Sequence, residues 1–319
     1  MQKTIKGLLM RPELSSIILL LLVVLTFHLI SPAFLSEANM RNVIGIAPEL
    51  GLAALGVAIL MIAGEFDLSV GAVFGLCPMT AVILTNAGVP PVVAIGVALV
   101  VALAAGAANG IITIAFNIPS FITTLGTLFI LRSVTIVMSG GYPPVYPESM
   151  PAFVFTDSIG FFRLSMLWHL AIIVLFALLI HATNFGNWVF ATGGQPEAAK
   201  DMGVPVKRVK VFCFMLCSLL VGFAGLIQTM RVHNASPVAG TGLELEAFAA
   251  AIIGGTALRG GFGAVLGPIV GALLIRLIDN GIVLSRIDGN YFKMALGLLI
   301  IGAVIVNEFI RQSATKIRA

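Results

Sequence analysis

The sequence predicts an all-α, polytopic membrane protein of about ten transmembrane helices, at least one of them broken or short. Composition is the first observation. Of 319 residues, 59% are hydrophobic and only 10% are charged. A soluble domain carries about 25% charged and roughly 45–50% apolar residues. The mean hydropathy of +1.09 agrees. Too little polar surface is present to cover a globule of this length, which excludes a soluble enzyme. The same composition excludes a disordered chain, a coiled coil and a secreted disulfide scaffold. Second, apolar stretches near the ~20 residues needed to cross a bilayer recur along the whole chain. Third, glycines and acids interrupt that pattern at a few places.

The first stretch, 14–30, follows Lys3, Lys6 and Arg11, and Ser36-Glu37-Ala38 gives it a faint cleavage-like end. With so many later spans it reads as an uncleaved first helix rather than a signal peptide. Stretches 45–63 and 68–86 are divided by Gly64, Glu65, Asp67 and Gly71. An acid at the bilayer centre costs about 2.5–3.5 kcal/mol on insertion scales, so two acids here predict a helix break or a protein-lined site. Asp67 and Ser69 are suited to bonding backbone groups freed by such a break, with solute contact as the alternative. Stretch 92–116 contains Asn109 among small residues, where an amide bonds to a neighbouring helix more often than to a solute. In 121–138, Thr123, Thr124 and Thr127 share a helix face near Phe121, a surface that suits a passing sugar or simple hydroxyl-to-backbone bonding. Residues 139–163 hold Gly140, Gly141, Pro143, Pro144, Pro147 and Pro151 and read as a solvated connector. Within it, Ile159-Gly160-Phe161-Phe162 is apolar enough to dip into the interface.

Stretch 164–182 precedes a long polar loop, 183–210. Stretch 211–230 carries Cys213 and Cys217 on one helix face; with Cys77 they read as helix filler, because further metal ligands are missing nearby. The last stretches are 245–258, which is short, then 264–284 and 292–309. Glycines 254, 255, 260, 261 and 263 crowd the junction around Thr256. Glycine there serves close helix packing or an unwound segment beside the pathway, where exposed backbone survives at membrane depth. His28, His169, His181 and His233 are scattered singly. No catalytic, cofactor-binding or metal-ligating set is expected.

Lysine and arginine set the orientation. With the N-terminus inside, the inner segments hold Lys3, Lys6, Arg11, Lys200, Lys207, Arg208, Lys210, Arg259, Arg311, Lys316 and Arg318. The outer segments hold Arg41, Arg163, Arg231, Arg286 and Lys293. That asymmetry predicts both termini in the cytoplasm. The net charge of +4 therefore speaks of topology rather than of a nucleic-acid partner. Arg132 and Arg276 fall within spans and call for backbone or acidic partners.

The inner loop carries its own punctuation. Pro196 suits a first helical turn, Glu197 suits the positive end of the helix dipole, Gly203 suits a left-handed cap and Pro205 prevents continuation. A two-turn helix is marginal alone in water, so it leans on lipid or on a partner. Ala198 and Ala199 fit close insertion into a protein groove better than anchoring in lipid.

Glu197-Ala198-Ala199, followed after three residues by Gly203, resembles the coupling-loop signature of permease subunits of ATP-binding-cassette importers, although the Leu-Pro of the longer signature is absent. Gly64-Glu65-Phe66-Asp67-Leu68-Ser69-Val70-Gly71 resembles the Gly-Gly-Ile-Asp-Leu-Ser-Val-Gly segment of the ribose-type sugar permeases, with Glu65 in place of Gly. Asn109-Gly110, Ile118 to Thr127, Pro237 to Gly242, Ile253 to Leu258, Gly260 to Gly263 and Asn280-Gly281 follow in that family's order.

The resemblance implies a type II importer-like fold and a single permease domain, 1–319, with 183–210 as its cytoplasmic coupling loop. It implies docking of an ATPase at Gly194, Glu197, Ala198, Ala199 and Gly203. The candidate pathway residues are Glu65, Asp67, Ser69, Asn109, Phe121, Thr123, Thr124, Thr127, Gly254, Gly255, Thr256 and Asn280. No Gly-x4-Gly-Lys-Ser/Thr phosphate loop is present, so ATP and Mg would be used by a separate cytoplasmic ATPase. A periplasmic or lipid-anchored solute-binding protein and a second copy of the chain complete the assembly in a bacterial inner membrane. The expected function is ATP-driven import of a sugar or sugar-like solute by alternating access. The alternative, a proton- or sodium-coupled secondary transporter, requires several deep acids. Only Glu49, Glu65, Asp67 and Asp279 qualify.

Overall fold

The computed structural model describes residues 12–318, with side chains described over 17–305. Lys3, Lys6 and Arg11, and the side chains of Arg311, Lys316 and Arg318, which enter the orientation argument, lie outside the described residues.

All ten expected stretches contain a helix. They are α1 (Pro12–Ile30), α2 (Glu37–Ile62), α3 (Val70–Asn86), α4 (Pro91–Ala115), α5 (Ser120–Ser139), α7 (Leu164–His181), α10 (Val206–Val232), α11 (Leu243–Ile253), α12 (Leu266–Leu284) and α13 (Tyr291–Arg318). Among the described residues, α2, α4, α5, α7, α10 and α12 are long and apolar enough to cross a membrane. The apolar lengths of α3, Ile17–Ile30 of α1 and Tyr291–Ile305 of α13 are shorter. At 11 residues, α11 is about 16 Å long, half a bilayer.

Between α5 and α7 the chain makes a one-turn helix α6 (Phe153–Thr156), then an antiparallel pair, β1 (Ser158–Ile159) and β2 (Phe162–Arg163), in register Ser158↔Arg163. The apolar 159–162 segment is thus the tip of a hairpin. The loop 183–210 is largely helical. It forms α8 (Asn184–Gly194), capped by the Thr183 hydroxyl, and α9 (Pro196–Asp201).

The core lies where α10 packs against α2, α3 and α4. Small residues allow the backbones to close up. Gly225 of α10 crosses Phe74 of α3, and Gly106 and Gly110 of α4 cross Met215 and Val211 of α10. In the antiparallel pair α11/α12, Gly254 meets Gly267 and Ala250 meets Gly271, the small-xxx-small seam expected where lipid supplies no hydrophobic drive. Phe129, Ile130, Val137, Leu175 and Leu178 project outward with over half their surface exposed, a lipid-facing exterior.

Candidate functional site

Two interruptions in the helices face one another inside the bundle. The first is the predicted break at 63–69. Gly64 ends α2 with φ +84, which permits a Schellman closure: its N–H bonds Met61 O at 2.9 Å, and Glu65 N–H bonds Leu60 O at 3.2 Å. Beyond that cap, side chains satisfy the freed backbone. Phe66 N–H donates to Ser120 Oγ at 3.1 Å and Leu68 N–H to Thr124 Oγ1 at 3.0 Å.

Asp67 turns inward and is fully buried. It accepts from Ser69 N–H at 2.8 Å and Ser69 Oγ at 2.6 Å, and Asn109 Nδ2 lies 3.3 Å from both carboxylate oxygens. Asn109 Nδ2 also donates to Ser69 Oγ at 2.8 Å, and Asn109 Oδ1 accepts from Thr127 Oγ1 at 2.7 Å. Asp67, Ser69, Asn109, Thr124 and Thr127 thus form one knot tying the break to α4 and α5. Asp67 meets one freed backbone group, Ser69 N–H, while those of Phe66 and Leu68 go to Ser120 and Thr124; the other bonds of Asp67, Ser69 and Asn109 run between side chains.

The second interruption runs from His233 to Gly242, between α10 and α11. Arg132 of α5 reaches across to it. Its guanidinium donates to Pro237 O at 3.3 Å, Ala239 O at 2.5 Å and Gly71 O at 3.0 Å. One cation therefore clamps unwound carbonyls to the start of α3. The sequence marked Arg132 only as needing a partner; its signal was a lone cation in an apolar span. Phe66 at the first interruption and Phe248 on α11 bring their rings to 5.6 Å.

The remaining candidates divide. Thr123 and Thr256 are buried and their hydroxyls have no hydrogen-bond partner among the described residues. Phe121 is 52% exposed. Gly254 lies in the α11/α12 seam, followed by Gly255 at φ +90. Asn280 is not at the interruptions: it exchanges amide bonds with Asn39 of α2 at 2.8 and 2.9 Å, near the opposite end of that helix.

The glycine junction links these interruptions to α9. Gly261 N–H bonds Ile62 O, the last residue of α2, at 2.8 Å. A Cβ on Gly260 would sit 2.8 Å from Gly193 O and 2.9 Å from Gly64 Cα, and one on Gly261 would sit 2.5 Å from Gly194 Cα. Three backbone segments meet here with no side chain between them. One residue after Gly194, past Gln195, α9 begins. Its Pro196, Glu197 and Ala198 are exposed with Gly194, while Ala199 is turned inward and buried. Only one of the two alanines is thus available to a partner. Gly203, at φ +85, closes α9, with its N–H on Lys200 O at 2.9 Å and Val204 N–H on Ala199 O at 3.0 Å. Beside α9 a cavity of about 790 Å³ is lined by Glu65, Ser120, Glu197, Lys200 and Lys210, among others.

Residues 39–304 match a family model described as branched-chain amino acid transport system / permease component. The chain belongs to this permease family. The xylose/arabinose import permease protein XylH of Sulfolobus acidocaldarius is 32% identical over 93% of this chain and 85% of its own length. The ribose import permease protein RbsC of Escherichia coli is 32% identical over 93% of this chain and 94% of its own. The autoinducer 2 import system permease protein LsrC of an Enterobacter species is 31% identical over 98% and 91%. No solved structure matches the chain. This permease is the transmembrane, non-catalytic subunit of an ATP-binding-cassette importer, in which ATP is hydrolysed by a separate subunit.

Proposed function

We propose that the permease imports a sugar or sugar-like solute by alternating access, as one transmembrane domain of ten crossings paired with a second copy of itself. The ten are α1, α2, α3, α4, α5, α7, α10, α11, α12 and α13, with the unwound stretch before α11 completing the short one. Both termini lie in the cytoplasm of a bacterial cell, placing α9 on the inner face of the inner membrane and the connector 139–163 on the outer.

The observation that carries the reading is the placement of α9. Its exposed Gly194–Ala198 face offers a dock for a cytoplasmic ATPase, and its root is joined backbone to backbone with the end of α2. Motion imposed on α9 therefore reaches the interruptions. The Asp67–Asn109 knot frames the pathway. Solute contact falls to groups with hydrogen-bonding capacity left, Thr123 and Thr256, with Phe121 at the edge. The sugar class rests on the names of the ribose and xylose/arabinose relatives. A periplasmic or lipid-anchored binding protein delivers the solute and sets most of the selectivity.

The test is uptake of labelled pentoses into proteoliposomes holding the permease with its ATPase and solute-binding protein. Uptake should require ATP and survive an uncoupler. Uptake that persists without ATP and collapses with the uncoupler would sink the importer reading.

A further inference from the structure

Glu65 and Lys210 stand 145 positions apart in the chain, yet their charged groups meet at 2.6 Å. The side chains keep only 12% and 19% of their exposure, respectively, so water screens the pair less than a surface ion pair. We propose that this pair is a latch between the helix break and the ATPase-docking segment, released when α9 is displaced, so that it restrains ATP hydrolysis until solute arrives. The inference rests on the importer reading above.

The two partners belong to bodies of different character. Glu65 follows the Gly64 cap directly and precedes residues pinned from two sides: Phe66 and Leu68 by hydroxyls of α5, Asp67 by the amide of α4. Lys210 stands one turn into α10. Only 202–205 separate α9 from that helix, and the link is short of slack, with Val204 N–H on Ala199 O at 3.0 Å and Val206 N–H on Val204 O at 2.8 Å. Displacing α9 thus pulls directly on the first turn of α10, where Lys210 is, while Glu65 is tied by the knot to α4 and α5 and receives that motion only through the glycine junction, so the two partners move unequally. The knot is complete without this contact, so breaking it leaves no buried polar atom of Asp67 or Asn109 unpaired. The pair also forms part of the wall of the cavity beside α9, together with Ser120 and Thr113. A contact between a tethered and a driven segment, dispensable to the tethered one, biases an equilibrium between two arrangements rather than supporting the fold.

The measurement is ATP hydrolysis by the complete importer in proteoliposomes, with and without solute-loaded binding protein. In Glu65→Gln and in Lys210→Gln, hydrolysis without solute should rise about fivefold, the shift that roughly 1 kcal/mol makes in a two-state equilibrium. Lys210→Arg should match the unaltered importer. The reversed pair, Glu65→Lys with Lys210→Glu, should recover most of the restraint. Unchanged solute-free hydrolysis in both single variants overturns the latch. So does a Glu65→Gln importer whose solute preference changes while its hydrolysis ratio does not, which would make Glu65 a solute contact. A Glu65→Gln subunit that inserts but no longer co-purifies with the ATPase, with Lys210→Arg unaffected, overturns it in favour of an assembly role. Failure of the unaltered importer to move sugar with ATP would strike the importer reading instead.

Discussion

Arg231, at the end of α10, grips both carboxylate oxygens of Glu49 midway along α2, Nε to Oε1 at 2.5 Å and Nη2 to Oε2 at 3.2 Å. Glu49 is buried, and its charge is answered by a two-pronged partner. An acid that had counted toward ion-coupled transport is thus part of the frame. Removing one partner strands the other. Glu49→Leu should cost roughly 3 kcal/mol, the low end for a buried pair because the Arg231 side chain keeps 25% exposure. The double change to Glu49→Leu with Arg231→Met should cost clearly less than either single one. Thermal unfolding in detergent checks this; additive losses would mean the two residues act independently.

The exposed face of α9 should govern partner binding and nothing else. Glu197→Lys should abolish co-purification of the ATPase and leave membrane insertion and melting temperature unchanged. Gly203→Asp places a side chain at φ +85, a strain of about 1–2 kcal/mol, and should misdirect α9 with the same loss of partner. Normal ATPase recovery with both variants would move the dock elsewhere.

Glycine substitutions should separate the junction from ordinary helix glycines. A Cβ on Gly193 would collide with the Ile62 carbonyl and lie 2.7 Å from Gly261 N. Gly193→Ala should destabilise the permease by about 1–3 kcal/mol or more, since backbone cannot yield as a flexible side chain does. Gly126→Ala, with nothing within 4 Å, should be neutral or stabilising by up to about 1 kcal/mol. Equal melting temperatures for the two would contradict the packing described at the junction.

Asn109→Leu removes donors from Asp67 and Ser69 and the acceptor of Thr127. Each buried group left unpaired costs about 1–3 kcal/mol. The melting temperature should fall, while the apparent KM for uptake per folded complex stays constant. A raised KM with unchanged melting temperature would instead place Asn109 on the solute path.

Much of this was legible locally. Hydropathy located every long helix, since apolar length is a property of contiguous residues. Pro196 and Gly203 gave the bounds of α9 because capping is chemistry within one or two turns. Glu65 and Asp67 marked the break because charge in an apolar run is conspicuous. Helix α8 escaped because Asn184, Gly186, Asn187, Gly193 and Gly194 argue for a loop; the packing of its glycines on Ile180 and on the glycine junction overrides propensity. Partnerships across the chain were not legible. Nothing near Lys210 announces Glu65, nothing near Arg132 announces the carbonyls of Pro237 and Ala239, and nothing near Asn280 announces Asn39. Arg276 illustrates the same limit: Asp279, three residues on, was the visible partner at 4.0 Å, but Glu246 of α11 is nearer at 3.2 Å.

The glycine junction has a mechanical reading. Where Gly64, Gly193 and Gly260 meet, the touching surfaces are peptide groups, the stiffest part of a polypeptide and the part that side-chain replacement elsewhere leaves alone. A drive shaft built of main chain does not need refitting when the cargo changes. Under the import mechanism proposed above, pocket residues could be exchanged for a different solute while a stroke passed through α9 stays the same.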